Sequence, residues 1–239
     1  MKGTIGVLGG MGPLASAAFV RSIYSMYRGQ KEQATPVVLL YSDPRVPDRT
    51  AVLLNGEDRE PILRAIEGAL SSLLAIGAQQ LVICCVTAHY LLHALSPHVR
   101  EHVISLVDLL WRQVHSTPGR CLLISTTGTR RARILQQHAL WPELESRIVL
   151  PADDEQAALH DAIYELKQSH EVTPLGELVA AVAERHGVQS IAAACTELHL
   201  LSAVHAGPTE LNTRFEIIDP LSTITRIIWE QRDATTLRP

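Results

Sequence analysis

Two apolar runs in this chain end alike, and they constrain the fold more than any other feature. Leu81-Val82-Ile83-Cys84-Cys85-Val86-Thr87-Ala88-His89 passes abruptly from aliphatic side chains to a thiol, a hydroxyl and an imidazole. Ser190-Ile191-Ala192-Ala193-Ala194-Cys195-Thr196-Glu197-Leu198-His199 repeats the design 110 positions later. A short, continuously apolar run reads as a strand buried on both faces. Each of these strands delivers a cysteine to its C-terminal end, just before a helix begins. Open α/β sheets bind ligands at that edge. Cys85 and Cys195 are therefore expected to face each other across one pocket and to share a proton-transfer task.

The rest of the chain fits the same plan. Strands are expected within 4–8, 34–41, 80–84, 103–106, 121–125, 147–150, 188–194 and 215–219. Helices are expected at 14–27, 60–76, 87–95, 107–114, 153–167, 175–186 and 221–231, with a helix start at 126–129, a polar loop at 42–50 and a loose tail at 235–239. Alternation of apolar strands with helices predicts an α/β fold whose parallel sheets are covered on both faces. The repeated strand–Cys–hydroxyl–helix unit predicts two pseudo-symmetric lobes with the site in the cleft between them. The expected division is 1–105 plus 214–239 for the lobe carrying Cys85, and 106–213 for the lobe carrying Cys195.

Composition closes off several alternatives. With 239 residues, 46% of them hydrophobic, the chain can bury a large core, and with only 4% aromatics that core is aliphatic. The formal charge of −4 is dispersed and forms no basic stripe, which argues against nucleic acid. No apolar run approaches the roughly 20 residues that span a bilayer, so no membrane partner is expected. The four cysteines, Cys84, Cys85, Cys121 and Cys195, form no C-x-x-C pair and lie in or beside apolar runs, as reduced thiols do. The chain runs from Met1-Lys2-Gly3-Thr4 straight into a strand without a charged leader, and a cytoplasmic location is expected.

A cysteine before a helix N-terminus meets the positive end of the helix dipole, which favours thiolate. Cys84 and Cys121 read instead as small core hydrophobes, Cys84 because strand alternation points it away from Cys85. His89 and His199 each follow a cysteine by four residues, a spacing that allows a Cys2His2 zinc site. Structural zinc ligands usually come from knuckle-like loops, so no metal is expected; His89 reads as bonded to backbone and His199 as a surface residue. Gly10-Met11-Gly12-Pro13-Leu14-Ala15 fits a dinucleotide fingerprint, but Pro13 removes a backbone donor and no ribose-binding acid follows. A glycine turn that admits a small carboxylate to the helix N-terminus fits better. Arg49, after the second strand, can grip a carboxylate with two parallel hydrogen bonds or stand idle in solvent. Lys167 is a second candidate cation or a solvated charge.

Together these segments resemble the aspartate/glutamate racemase family, the cofactor-independent amino-acid racemases, most closely its aspartate branch. Four blocks carry the resemblance: Gly6–Ala15, Pro47-Asp48-Arg49-Thr50, Cys85-Val86-Thr87-Ala88-His89 and Cys195-Thr196-Glu197-Leu198, with Ser125-Thr126-Thr127-Gly128-Thr129 as a weaker fifth. The resemblance implies catalytic bases at Cys85 and Cys195, a substrate carboxylate on Arg49, and Lys167 reaching a distal acid. It places Met11, Thr87, Thr127 and Thr196 along the pocket. It also implies a homodimer, a small amino-acid or dicarboxylate substrate and no cofactor. The family usually reads Cys-Asn-Thr-Ala-His where this chain has Val86, and Gly where it has Ala194. A different reaction of a small diacid on the same scaffold, isomerisation or decarboxylation, and a binding protein without turnover are the alternatives.

Overall fold

The computed structural model describes residues 3–236 apart from 28 and 30, without the side chains of 203 and 231–236. Its strands form two parallel four-stranded sheets. In the first, β1 (Ile5–Gly9), β2 (Val38–Ser42), β3 (Gln80–Ile83) and β4 (Val103–Ile104) lie in the order β2-β1-β3-β4. In the second, β5 (Cys121–Ile124), β6 (Ile148–Val149), β7 (Ser190–Ala193) and β8 (Glu216–Ile218) repeat it as β6-β5-β7-β8. Every expected strand segment holds a strand, and three of the four inner ones, β1, β5 and β7, are buried along their whole length. Burial on both faces is why their sequences show no polar alternation.

The first six helices are α1 (Pro13–Ser25), α2 (Arg49–Asn55), α3 (Glu60–Ala75), α4 (Pro97–Arg100), α5 (Leu106–Ser116) and α6 (Thr127–Arg131). They are followed by α7 (Trp141–Leu144), α8 (Asp153–Ser169), α9 (Thr173–His186), α10 (Ala203–Ala206), α11 (Glu210–Arg214) and α12 (Pro220–Thr236). Helix α3 shows how they attach. Ile62, Ile66, Ala69, Leu70 and Leu73 recur at helical spacing and are all buried, giving one apolar stripe against the sheet. Of the tail expected at 235–239, residues 235 and 236 belong to α12 and 237–239 lie outside the described residues.

One hydrophobic core joins the two sheets. Val7 and Val82 from the first share it with Leu123 and Ala192 from the second, and the fully buried Trp111 of α5 belongs to it. Two flanking cores lie outside it, one per lobe.

Three local expectations need correction. The strand at 216–218 was grouped with the first lobe, yet it pairs with β7 through Ser190↔Glu216 and Ala192↔Ile218. It takes the place in the second sheet that β4 takes in the first. Only α12 reaches back, packing on both α1 and α5. The segments after Cys85 and Cys195 are tight 3-10 turns, Thr87–Ala94 and Thr196–Leu201, and not α-helices. The end of the polar loop at 42–50 is already helix: Asp48 accepts a hydrogen bond from the Ala51 N–H at 2.9 Å and caps α2, so Arg49 is its first residue.

Candidate active site

Strands β3 and β7 stop at equivalent points. The Cys84 N–H bonds to the Leu8 carbonyl at 2.9 Å, and the Ala194 N–H bonds to the Ile124 carbonyl at the same distance. The next residue on each strand leaves the ladder, and those residues are Cys85 and Cys195. Both cysteines line one narrow cavity between the lobes. Met11, Arg49, Thr87, Lys167 and Thr196 line it as well. Thr127 does not; its neighbour Thr126 takes the place. Thr126 caps α6 through its hydroxyl, which accepts from the Thr129 N–H, and this turns that side chain inward. Thr127 is half-buried, with its N–H 3.4 Å from His160 Nδ1.

The two sulfurs have opposite neighbours. On the Cys85 side stands Arg49, 9% exposed. Its guanidinium donates to the carbonyls of Met11 (2.9 Å), Pro47 (2.9 Å) and Val46 (3.2 Å), while its buried Nε has no partner. Burial opposes its charge, but the neighbouring Cys85 and the Asp48 carboxylate more than offset this, and its pKa lies above the usual guanidinium value. The loop arginine is thus a held cation, pre-oriented by three carbonyls.

On the Cys195 side stands Glu197. The Cys195 thiol donates to its Oε2 at 2.8 Å, and the Thr196 hydroxyl lies 3.4 Å from the same oxygen. The other oxygen sits 3.5 Å from Lys167 Nζ, an ion pair without a hydrogen bond. Burial, then Glu197, pushes the Cys195 thiol well above its usual pKa against the opposing pull of Lys167. The expected drift of this cysteine toward thiolate at a helix start is overturned, because the 3-10 turn after it is short and a carboxylate faces it. Lys167 is itself held above the usual ammonium value; burial works against it, and Glu197 and the two cysteines outweigh burial.

Glycine makes room for this acid. Gly10 turns the chain after β1 at φ +91°, where a side chain would run into the Asp43 backbone. A Cβ on Gly12 would stand 2.5 Å from the Glu197 carboxylate. The small carboxylate expected at the N-terminus of α1 is therefore, in this structure, the protein's own.

The family described as Asp/Glu/Hydantoin racemase matches residues 8–227. The chain belongs to that family. Among solved structures, Picrophilus torridus aspartate racemase is similar with a TM-score of 0.78 and 23% identity, over 97% of this chain and 95% of that one. A putative Asp/Glu racemase from Yersinia pestis follows with a TM-score of 0.69 and 20% identity, over 97% and 99%. An uncharacterized protein of Pectobacterium carotovorum subsp. carotovorum is 30% identical over 111 residues, 45% of this chain and 72% of that protein. At these identities the solved structures speak for the fold, and the family match for a racemase acting on a small molecule. No helix among the described residues is long and apolar enough to cross a membrane.

Several residues around the racemase cavity escaped the sequence. Tyr164 of α8 lines it and donates to both oxygens of Asp48, at 2.8 and 3.1 Å, tying the second lobe to the cap of α2. Burial raises the Tyr164 phenol to about 12. Lys167 Nζ lies 4.4 Å from the centre of the Tyr164 ring. Four hydroxyls, Thr50 and Thr87 from one lobe, Thr126 and Thr129 from the other, form a buried network; its shortest link is Thr87–Thr129 at 2.8 Å. Val86 lines the cavity where an amide was the usual residue.

The two histidines are structural partners. His89 Nε2 accepts the Leu106 N–H at 3.0 Å, so Nδ1 carries the proton and donates to the Cys85 carbonyl at 2.9 Å. Burial lowers its pKa to about 4. His199 is not a surface residue as expected; it is fully buried, with Asp219 at 2.6 Å from Nδ1 and Ser22 at 2.9 Å from Nε2. With both nitrogens of each ring engaged, the four Cys and His side chains do not assemble the zinc set considered from their spacing.

Proposed function

We propose that this racemase interconverts the L and D forms of an acidic amino acid, aspartate first and glutamate second, by two-base proton transfer without a cofactor. The observation that carries the proposal is the placement of Cys85 and Cys195 on one cavity from topologically equivalent strand ends, beside groups of opposite charge. The cation Arg49 beside Cys85 suits a sulfur that begins as thiolate. The acceptor Glu197 beside Cys195 suits a sulfur that begins protonated. The Cys85 thiolate takes the α-proton from one face of the substrate, leaving the electron pair on Cα delocalised into the carboxylate. The Cys195 thiol gives its proton to the opposite face. The products are the other enantiomer, a Cys85 thiol and a Cys195 thiolate, which is the starting arrangement for the reverse reaction. Arg49, with its unpartnered Nε, and Lys167 are the groups proposed to hold the two carboxylates. Donors aimed at the charge that develops supply the main stabilisation in such sites.

The lumen is only about 10 Å3, room for roughly one water. Entry of an amino acid therefore requires the lobes to part at the Tyr164–Asp48 contact. Circular dichroism of L-aspartate and L-glutamate incubated with the protein in deuterated buffer tests the proposal. Loss of optical rotation with deuterium at Cα is expected, and no loss with any amino acid would sink it. Val86 favours a second reading, isomerisation or decarboxylation of a small diacid on the same scaffold, since valine offers no bond to an α-ammonium group. A covalent adduct on one cysteine in mass spectrometry would select it. The homodimer and the cytoplasmic location belong to the same proposal, and sedimentation of the purified chain at twice the monomer mass is expected.

A further inference from the structure

The cavity lies at the C-terminal edge of the strands. At the opposite edge of the first sheet, where β3 and β4 begin, a second constellation of chemistry-bearing side chains occurs. His98 of α4 and Glu101 and His102 after it bring Nδ1, a carboxylate oxygen and Nε2 within 4.8 Å of one another. The Glu101 oxygen is 3.9 Å from His98 Nδ1 and 3.8 Å from His102 Nε2. We propose that His98, Glu101 and His102 bind a divalent transition-metal ion of the zinc, nickel or copper type.

Geometry supports the set. Imidazole nitrogen and carboxylate oxygen sit about 2.0–2.2 Å from zinc, so two donors on one ion span at most about 4.2 Å, and about 3.4 Å when tetrahedral. Both separations from Glu101 fall inside the first limit, and the two histidine nitrogens lie within 4.8 Å of each other. Side-chain rotation has to close the set to the second limit, and His98 and Glu101, exposed at 77% and 67%, are free to make it. His102 is held already. Its Nδ1 lies 3.1 Å from the Gln79 carbonyl, to which only a protonated nitrogen donates, so Nε2 keeps its lone pair toward the cluster. Metal-binding histidines are oriented in this way by a hydrogen bond from the other nitrogen. The turn between the residues is fixed by backbone bonds from Glu101 N–H to Pro97 (3.1 Å) and from His102 N–H to Val99 (3.2 Å). Both histidines line an open groove of about 510 Å3 beside Leu74 and Ala78. Three protein donors leave a coordination position for water or for a donor group of a molecule in that groove. Two imidazoles and one carboxylate suit the later first-row divalent metals better than calcium or magnesium, which take oxygen ligands.

The site is independent of the racemase cysteines, and the test separates them. The full-length chain, a His98→Ala/His102→Ala variant and a Cys85→Ser/Cys195→Ser variant are each titrated with zinc chloride in a calorimeter. One equivalent bound by the wild type and by the cysteine variant, with affinity at least about a hundredfold lower in the histidine variant, is the expected result. Glu101→Gln weakens binding by about tenfold and leaves the far-ultraviolet circular dichroism unchanged. Binding that survives the histidine changes, binding lost only with the cysteines, or no binding below millimolar zinc overturns the proposal.

Discussion

The Cys85 half of the cavity and the Cys195 half share a backbone plan and differ in chemistry. Each has a strand that ends two positions before its cavity cysteine, a 3-10 turn after that cysteine, and a histidine four residues on from it. The residue two places after the cysteine is Thr87 in one half and Glu197 in the other. Thr87 joins the hydroxyl network, whereas Glu197 accepts a hydrogen bond from the Cys195 thiol and pairs with Lys167. Arg49 stands at the first sulfur. Duplicated topology places the two cysteines, and unduplicated side chains give them different neighbours, Arg49 on one side and Glu197 on the other.

The histidines repeat the lesson away from the substrate. His89 ties its turn to the start of α5 as a neutral ring between two backbone groups. His199 ties its turn to the start of α12 through Asp219, a buried carboxylate that also accepts the Leu221 and Ser222 N–H groups at 3.1 Å. Burial works to raise the Asp219 pKa, yet His199 and these donors hold it below the usual carboxylate value.

The largest expected effect tests whether both halves are needed. Cys85→Ser and Cys195→Ser should each lower the racemisation rate by about a thousandfold or more, in line with removal of a general acid or base. The variants should differ in exchange: each retains deuterium incorporation from the face served by the surviving cysteine. Equal residual exchange from both enantiomers in either variant would break the assignment of one sulfur to each face. The experiment is proton exchange followed by nuclear magnetic resonance for each enantiomer separately.

The second comparison is between the histidines. His199→Ala leaves the Asp219 carboxylate buried without its partner and should cost about 3–5 kcal/mol in urea unfolding. His89→Ala loses two bonds to backbone and should cost about 1–3 kcal/mol. Their pH dependence sharpens this. His89 is neutral in the folded protein down to about pH 4 but takes a proton near the ordinary imidazole value of 6.5 when unfolded. Its contribution is present in full above 6.5 and is lost as pH falls toward 4, about 3 kcal/mol in all. A His89→Gln variant should lose that much less stability than the wild type between these pH values. Parallel curves for the two proteins would show that His89 is not buried neutral.

How much of this was legible in the chain varies with the range of the contacts. The strands were legible because β1, β5 and β7 lie wholly inside, leaving a continuous apolar run in the sequence. The cysteine pair was legible because its context occurs twice. The place of β8 was not, since a short apolar strand carries no mark of its partner, and only pairing with β7 decides it. Tyr164 meets Asp48 across the lobes, a contact no local pattern encodes. Thr126 and Thr127 differ by one step at a strand–helix junction, and the cap bond to Thr129 decides which faces in. His199 had a readable signal that was missed: Leu198, Leu200 and Leu201 surround it, and all are buried. A histidine amid such a run stays buried by finding a partner, and Asp219 is that partner.

The smallest effect bears most directly on the asymmetry of the two halves. In Glu197→Gln the amide keeps the shape of the acceptor and removes its charge. Burial still raises the Cys195 thiol, but the raising influence of the Glu197 charge is gone, while the lowering influence of Lys167 remains. The Cys195 pKa should therefore fall, and the alkaline limb of the kcat/KM profile should move to lower pH. Lys167 loses its ion pair and is freed for a substrate carboxylate, so the maximal rate should drop by only about tenfold. Gly12→Ala provides the steric counterpart, since its Cβ would press the same carboxylate from 2.5 Å. Crowding of this kind costs about 1–3 kcal/mol, and in a Glu197→Gln background the pressure falls on an uncharged group, with no ion pair to disturb. A limb that stays in place in Glu197→Gln, with the rate reduced, would mean that the acid holds Lys167 and leaves the proton on Cys195 to burial alone.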